Sequence, residues 1–193
     1  MAASGDTIEN PQVGERVVFR ITTEESAGEL LQFDFFLSRG ARQPSSHRHM
    51  EQESRFEVTA GQLGARIGGG RPRIFRPGET LIIPAGTHHV IWNADEGETQ
   101  ALVEIEPAGN FEQFLETIFG LMRDGRLRDG GPIPRPYLQS ALLASANELF
   151  ISGVPLFLQR PGVWLMANLA RLRGYRLSYP EYSAPQAENP LGS

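Results

Sequence analysis

The sequence predicts a mainly β domain, built as a sandwich, jelly roll or barrel, with about three α-helices after it. Two observations carry this reading. From Glu15 to Pro107, short β-branched and aromatic runs recur with a turn about every 8–12 residues. After Pro107 the apolar residues switch from strand to helical spacing. A length of 193 residues suits one domain with an appendage.

Residues 1–14 are polar, contain Pro11 and Gly14, and read as a flexible N-terminal arm. The β-domain spans 15–107. Its runs are 16–21, 29–38, 56–58, 63–67, 73–75, 81–83, 90–92 and 101–105. In the second run the two-residue period places Leu31, Phe33, Phe35 and Leu37 on one face and Phe36 on the other. Gly61, Gly68-Gly69-Gly70, Pro77-Gly78, Pro84-Ala85-Gly86 and the segment Asn93 to Gly97 break the runs.

A helical extension follows over 108–176. Asn110 is a fitting N-cap with Gln113 as its capping-box partner, and Phe111, Phe114, Leu115, Ile118 and Met122 keep helical spacing up to Gly125. Arg123, Arg126 and Arg128 complement the negative end of that helix. A Gly/Pro link over 130–136 leads to a second helix from Tyr137 to Phe150. Pro161 suits the first turn of a third helix, whose stripe is Val163, Trp164, Met166, Ala167, Ala170 and Leu172, ended by Gly174. Trp92 and Trp164 read as packing residues, and Phe33, Phe35 and Phe56 as barrel filling. Residues 177–193 read as a flexible tail.

Composition removes several function classes. Lys and Arg number 18 against 23 Asp and Glu, a formal charge of −5, which gives no basic footprint for nucleic acid. No apolar run reaches the ~18 residues of a membrane span, and the N-terminus lacks the basic and apolar regions of a secretory signal. The expectation is a cytoplasmic protein with neither nucleic acid nor membrane as partner. With no cysteine, a disulfide scaffold, a thiolate metal site and a catalytic thiol are excluded. A metal here must be held by the four histidines and by carboxylates.

The four histidines fall in two short segments, His47-Arg48-His49 and His88-His89. On a strand, His47 and His49 leave the same face about 6.6–6.8 Å apart along the chain. Two imidazoles at that separation can converge on one ion. In the second segment His89, Ile91 and Asn93 share one face and His88, Val90 and Trp92 the other, so one histidine of the adjacent pair reaches a given interior site.

The surrounding spacing is specific. Gly78, Pro84-Ala85-Gly86, His89 and Asn93 match G(x)5PxG(x)2H(x)3N without a gap, and Gly40, His47, His49, Glu53, Phe56 and Gly61 form a looser motif upstream. Together these resemble the two motifs of the cupin superfamily. With the tail residues Gly174-Tyr175-Arg176 and Tyr179-Pro180-Glu181-Tyr182, the chain resembles small bacterial cupin-domain proteins that carry a C-terminal helical extension. The resemblance implies a jelly-roll barrel with one divalent transition metal inside, held by His47, His49 and His89. The family's fourth ligand is a Glu seven residues before the turn glycine, and Ser54 stands there in this chain. Glu53 is one residue off and reaches the site if the chain bulges; Gln52 shares Ser54's face. The ligand set implied is therefore the three histidines with Glu53, with Gln52 or with water, and Glu53 or Gln52 is the acid/base or hydrogen-bonding candidate.

Such a set suits Fe, Mn, Ni, Cu or Zn. The implied activity is that of a small-molecule enzyme of oxygenase, isomerase or lyase type. The alternative is a small-molecule-binding protein with a degraded metal site; a purely structural role comes third. An exposed edge strand and an amphipathic tail predict a homodimer.

Overall fold

Alternating burial along short strands builds two antiparallel sheets that enclose one core. The computed structural model describes residues 2–43, 45–127 and 135–183. Its strands before the first helix are β1 (Thr7–Asn10), β2 (Glu15–Ile21), β3 (Leu31–Leu37), β4 (His47–His49), β5 (Glu53–Ala60), β6 (Leu63–Ile67), β7 (Arg73–Phe75), β8 (Thr80–Ile83), β9 (His89–Asn93) and β10 (Thr99–Glu106). Then come α1 (Phe111–Arg123), α2 (Tyr137–Ala146), β11 (Leu149–Ile151) and α3 (Leu156–Leu172). One sheet has the order β1-β2-β3-β10-β5-β8 and the other β11-β4-β9-β6-β7.

The inward rows match the sequence pattern. Leu31, Phe33, Phe35 and Leu37 of β3 are buried, while Phe36 faces out beneath the Arg16 guanidinium, 3.6 Å from its ring centre. Val103 of β10 is in register with Phe33 on one side and Phe56 on the other, a row across three strands. Each such side chain contributes about 1.5–3 kcal/mol by burial. Leu63, Ala65, Phe75 and Ile91 from the second sheet join the same core.

Two positions fix the second sheet's geometry. Gly64 is paired with Trp92, and a Cβ at Gly64 would lie 2.1 Å from the indole, so only glycine lets the ring lie flat there. Asn93 closes the turn to β10: its amide nitrogen reaches the carbonyls of Leu37, Ser38 and Gly97 at 2.8, 3.0 and 2.7 Å. Its oxygen accepts from Asp95 N and Thr99 Oγ1, both at 2.7 Å. That is the physical reason for an Asn four residues after His89.

The helices begin inside the barrel's core. Phe111, Leu115 and Phe119 of α1 belong to the same buried cluster as Phe33 and Val103. The buried Glu112 carboxylate accepts the Ala2 and Thr23 amides at 3.1 and 2.6 Å and ties α1 to the first residues of the chain. α2 and α3 pack on each other through Leu142, Ala167 and Ala170.

Several expectations need correction. Residues 7–10, read as part of a loose arm, form β1, which pairs in register with Asn10 opposite Glu15 and Thr7 opposite Val18. Asn110 makes no side-chain cap bond. The second helix ends at Ala146, and Leu149–Ile151 is instead a strand paired with β4. α3 starts at Leu156, so Pro161 lies inside it. Trp164 is 64% exposed and belongs to no buried core cluster. Tyr179 and Tyr182, read as tail, are buried against Leu121, Met122 and Leu127, with Pro180–Tyr182 forming a 3₁₀ turn. Met1, Arg128, the link residues 130–134 and the tail residues 184–193 lie outside the described residues. Among the described residues no helix is long and apolar enough to cross a membrane.

Candidate metal centre

His47 and His49 sit on β4 with one residue between them, and His89 opens β9 directly across from His47. Strand alternation and that register bring the three rings together. Their centroids are 5.1 Å apart for His47 and His49, 4.6 Å for His47 and His89, and 5.8 Å for His49 and His89. One ring nitrogen from each falls within 4.8 Å of the others. Nitrogens bound at about 2.0–2.1 Å to one ion lie within about 4 Å of each other, so small ring rotations close the set.

The hydrogen bonds aim the rings. His47 Nδ1 donates to the Ser45 carbonyl at 3.1 Å, and His89 Nδ1 to the Thr87 carbonyl at 3.0 Å. A carbonyl only accepts, so both Nδ1 atoms carry the proton and both Nε2 lone pairs are free for an ion. His49 stands edge-on to the Phe111 ring at 5.1 Å, and its buried Nδ1 has no partner. An orphaned imidazole nitrogen beside two pre-aimed ones fits a metal site and fits a packed core poorly.

Electrostatics agree. Burial, then the neighbouring His89, pushes His47 down to about 4. Burial and the two neighbouring imidazoles hold His49 well below its usual value, and burial lowers His89 against the opposing Thr87 carbonyl. All three are neutral at pH 7, the form that binds an ion without first losing a proton.

No carboxylate joins them among the described residues. Glu53 is exposed. β5 pairs regularly with β10 there, Glu53 opposite Glu106 and Ser54 opposite Ile105, so alternation turns Ser54, Phe56 and Val58 inward and Glu53 outward. The irregularity in β5 is at its far end, between Val58 and Ala60, and gives Glu53 no route to the site. Glu53 as metal ligand or catalytic residue is therefore corrected. Gln52 is buried, with Oε1 unpartnered and Nε2 against Gly109. His88 faces the other way, where Ser152 Oγ lies 2.8 Å from its Nδ1 and 2.8 Å from Ser46 Oγ.

The histidines line a cavity of about 500 Å³ that runs from the barrel, past Phe33, Phe56 and Val103, to α1, α2 and α3. Phe111, Phe114, Ala141 and Met166 line its helical part. From the sequence the helices over 111–173 read either as a cover over one barrel mouth or as a dimer surface, without naming which of their residues line the cavity. Sequence reasoning missed β11, whose Leu149 pairs with His49 and Ile151 with His47. The signal was present in Leu149-Phe150-Ile151, a β-type run between Asn147-Glu148 and Ser152-Gly153, but the helical pattern upstream overran it.

No family model matches the chain. A curated relative, the probable oxidoreductase virH of Hypocrea virens, is 25% identical over 154 residues, covering 76% of this chain and 70% of its own length. Among solved structures, KdgF from a Halomonas species is 18% identical with a TM-score of 0.44, covering 52% of this chain and 86% of its own. A predicted oxalate decarboxylase from Thermotoga maritima is 16% identical with a TM-score of 0.47, covering 55% and 98%. A sugar phosphate isomerase of the cupin superfamily from Silicibacter pomeroyi is 23% identical with a TM-score of 0.43, covering 49% and 60%. What settles the architecture is internal: two facing antiparallel sheets, the turn asparagine Asn93 holding both sheets together, and three histidines converging from adjacent strands. On those grounds the chain is a two-sheet, jelly-roll β-barrel with a helical extension.

Proposed function

We propose that the protein is a cupin-type enzyme that uses one divalent transition metal, held by His47, His49 and His89, to act on a small organic molecule in the barrel. The observation that carries this reading is the convergence of three neutral imidazoles, His49 and His89 buried and His47 half-buried, two of them aimed by backbone carbonyls, on an apolar cavity. When bound, an ion of the Fe, Mn, Ni, Cu or Zn group supplies a Lewis acid and, for the redox-active members, electron transfer, which serves oxygenase, isomerase or lyase chemistry. The chain's own residues orient and shield. Ser54, facing inward, offers a hydroxyl to a bound molecule, and buried Gln52 keeps an unpartnered oxygen near the α1 end. Phe111 packs on His49 and keeps water from that ring.

Metal content of tag-free protein, with the His47→Ala/His89→Ala double variant beside it, tests the site. Near-stoichiometric metal in the parent and its loss in the variant are expected; metal retained by the variant refutes the assignment. Oxygen uptake dependent on added Fe(II), across a panel of organic substrates, tests the oxygenase branch.

A second reading, a binding protein without turnover, is favoured by Ser54 standing where the family's carboxylate does. Ligand-induced thermal stabilisation without product would support it. We also infer a homodimer. Phe157, Trp164, Leu165 and Leu172 of α3 are exposed and share one side of the helix, a contiguous apolar face of the kind a partner covers. Sedimentation velocity of Trp164→Ser/Leu165→Ser checks this: the dimer should dissociate, and an unchanged dimer rules out this face.

A further inference from the structure

The cavity is chemically one-sided. Its described lining includes no lysine and no arginine, and its one carboxylate is Glu15. An ion at the histidines could meet one anionic group, but a second one, or any charge lying along the body of the cavity, would lack the guanidinium or ammonium partner that anions require in a low-dielectric site. A free sugar fares no better, because each hydroxyl taken from water needs a partner and the walls are mainly aromatic and aliphatic. At the barrel end the three histidines and Ser54 face the same space, while the helical walls add only the uncharged polar groups of Tyr137, Ser140 and Gln159 to an otherwise apolar lining.

The entrance has the same character. Tyr137, Val154 and Leu158 line the cavity and are also 47%, 42% and 58% exposed, so they form its rim between α2 and the start of α3. A protein ordinarily has little reason to keep such side chains in water around a cavity mouth. An apolar visitor that crosses this rim gains contact at every step. The volume, about 500 Å³, falls in the range for molecules of drug size.

We propose that the ligand of this site is a lipophilic oxygenated molecule, an alcohol, ketone or phenol with an uncharged apolar body. Its oxygen meets the histidine end, and its body lies along Phe33, Phe56 and Phe111 toward the rim of α2 and α3. The orientation toward the histidines rests on the metal-site reading; the apolar class rests on the cavity alone.

Equilibrium binding of the neutral dye Nile red to the full chain tests the class, with competition by lipophilic ketones and phenols in one arm and by a sugar phosphate and a short dicarboxylate in the other. Displacement by the lipophilic arm alone is expected. Leu158→Arg, an exposed rim position that leaves the core intact, should weaken dye binding about tenfold by placing a charge at the mouth. Trp164→Ser, on the outer side of α3, should leave it within about twofold. Displacement by the charged arm alone, absence of dye binding, or sensitivity to Trp164→Ser without sensitivity to Leu158→Arg would overturn the proposal. Metal analysis of the parent protein beside the dye competition separates the two readings. Dye bound with the same preference but no metal in the parent protein means that the metal site fails and the apolar class stands. Metal bound with charged competitors preferred means the reverse.

Discussion

The barrel and the helical extension use apolar residues in opposite ways. In the barrel, β3 and β10 alternate without exception between buried and outward residues, and Phe33, Val103 and Phe56 meet in register. In the extension, Ala167 and Ala170 are the buried residues of α3, while Phe157, Trp164, Leu165 and Leu172 stand in water. Yet both regions line the same cavity. The barrel thus holds the three histidines in a fixed frame, and the extension supplies wall and entrance from a helix whose packing is thin. On the proposed reading, the chemistry belongs to the barrel and ligand admission to the extension.

The widest gap between the regions should appear in stability. Phe33→Ala removes a ring from the centre of the barrel and is expected to cost about 3–5 kcal/mol, measured by urea unfolding. Asn93→Ala strands the carbonyls of Leu37 and Gly97 and should cost about 2–3 kcal/mol. Equal losses from matched truncations in α3 would erase the contrast.

Acid should sharpen it further. The folded value of His47, about 4, lies below the ordinary 6.5, so between those pH values the unfolded chain binds more protons. Stability of the metal-free protein is then full above about pH 6.5 and falls as pH drops toward 4. Unfolding midpoints at pH 7.5 and 5.5 in the presence of a chelator read this, and His47→Ala should flatten the slope. The smallest effect is expected from Leu172→Ser, 85% exposed at the end of α3, which should stay within about 0.5 kcal/mol in the Trp164→Ser/Leu165→Ser background, where the inferred dimer face is already broken.

The same contrast explains what the sequence made legible. His47, His49 and His89 were readable because strand alternation is local, and the Gly78 to Asn93 spacing encodes a turn whose asparagine has a definite job. Phe33, Phe35 and Phe56 were readable for the same reason. Glu53 was left open because its direction depends on whether β5 is regular at its start, a matter settled by pairing with Glu106 far along the chain. β1 is held by partners in β2 rather than by its own composition. Pro161 signals a helix start in isolation, but α3 begins five residues earlier and accepts it within its second turn. Trp164 looked like core because a single sequence shows an apolar stripe without showing what faces it.

The small strand β11 changes what the extension is. β4 touches β9 at one residue pair, His47 with His89, but touches β11 at three, and the Gln159 side-chain amide in turn binds both backbone groups of Ile151. The seating of β4, and with it of His47 and His49, therefore rests on more pairings with a segment a hundred residues downstream than with the neighbouring barrel strand. A chain shortened to its first 107 residues would be no minimal version of this protein. It would carry its histidines on an open, unpaired edge, free to drift or to join a second chain. In this molecule, a segment near the C-terminus acts as the splint for the strand that carries His47 and His49.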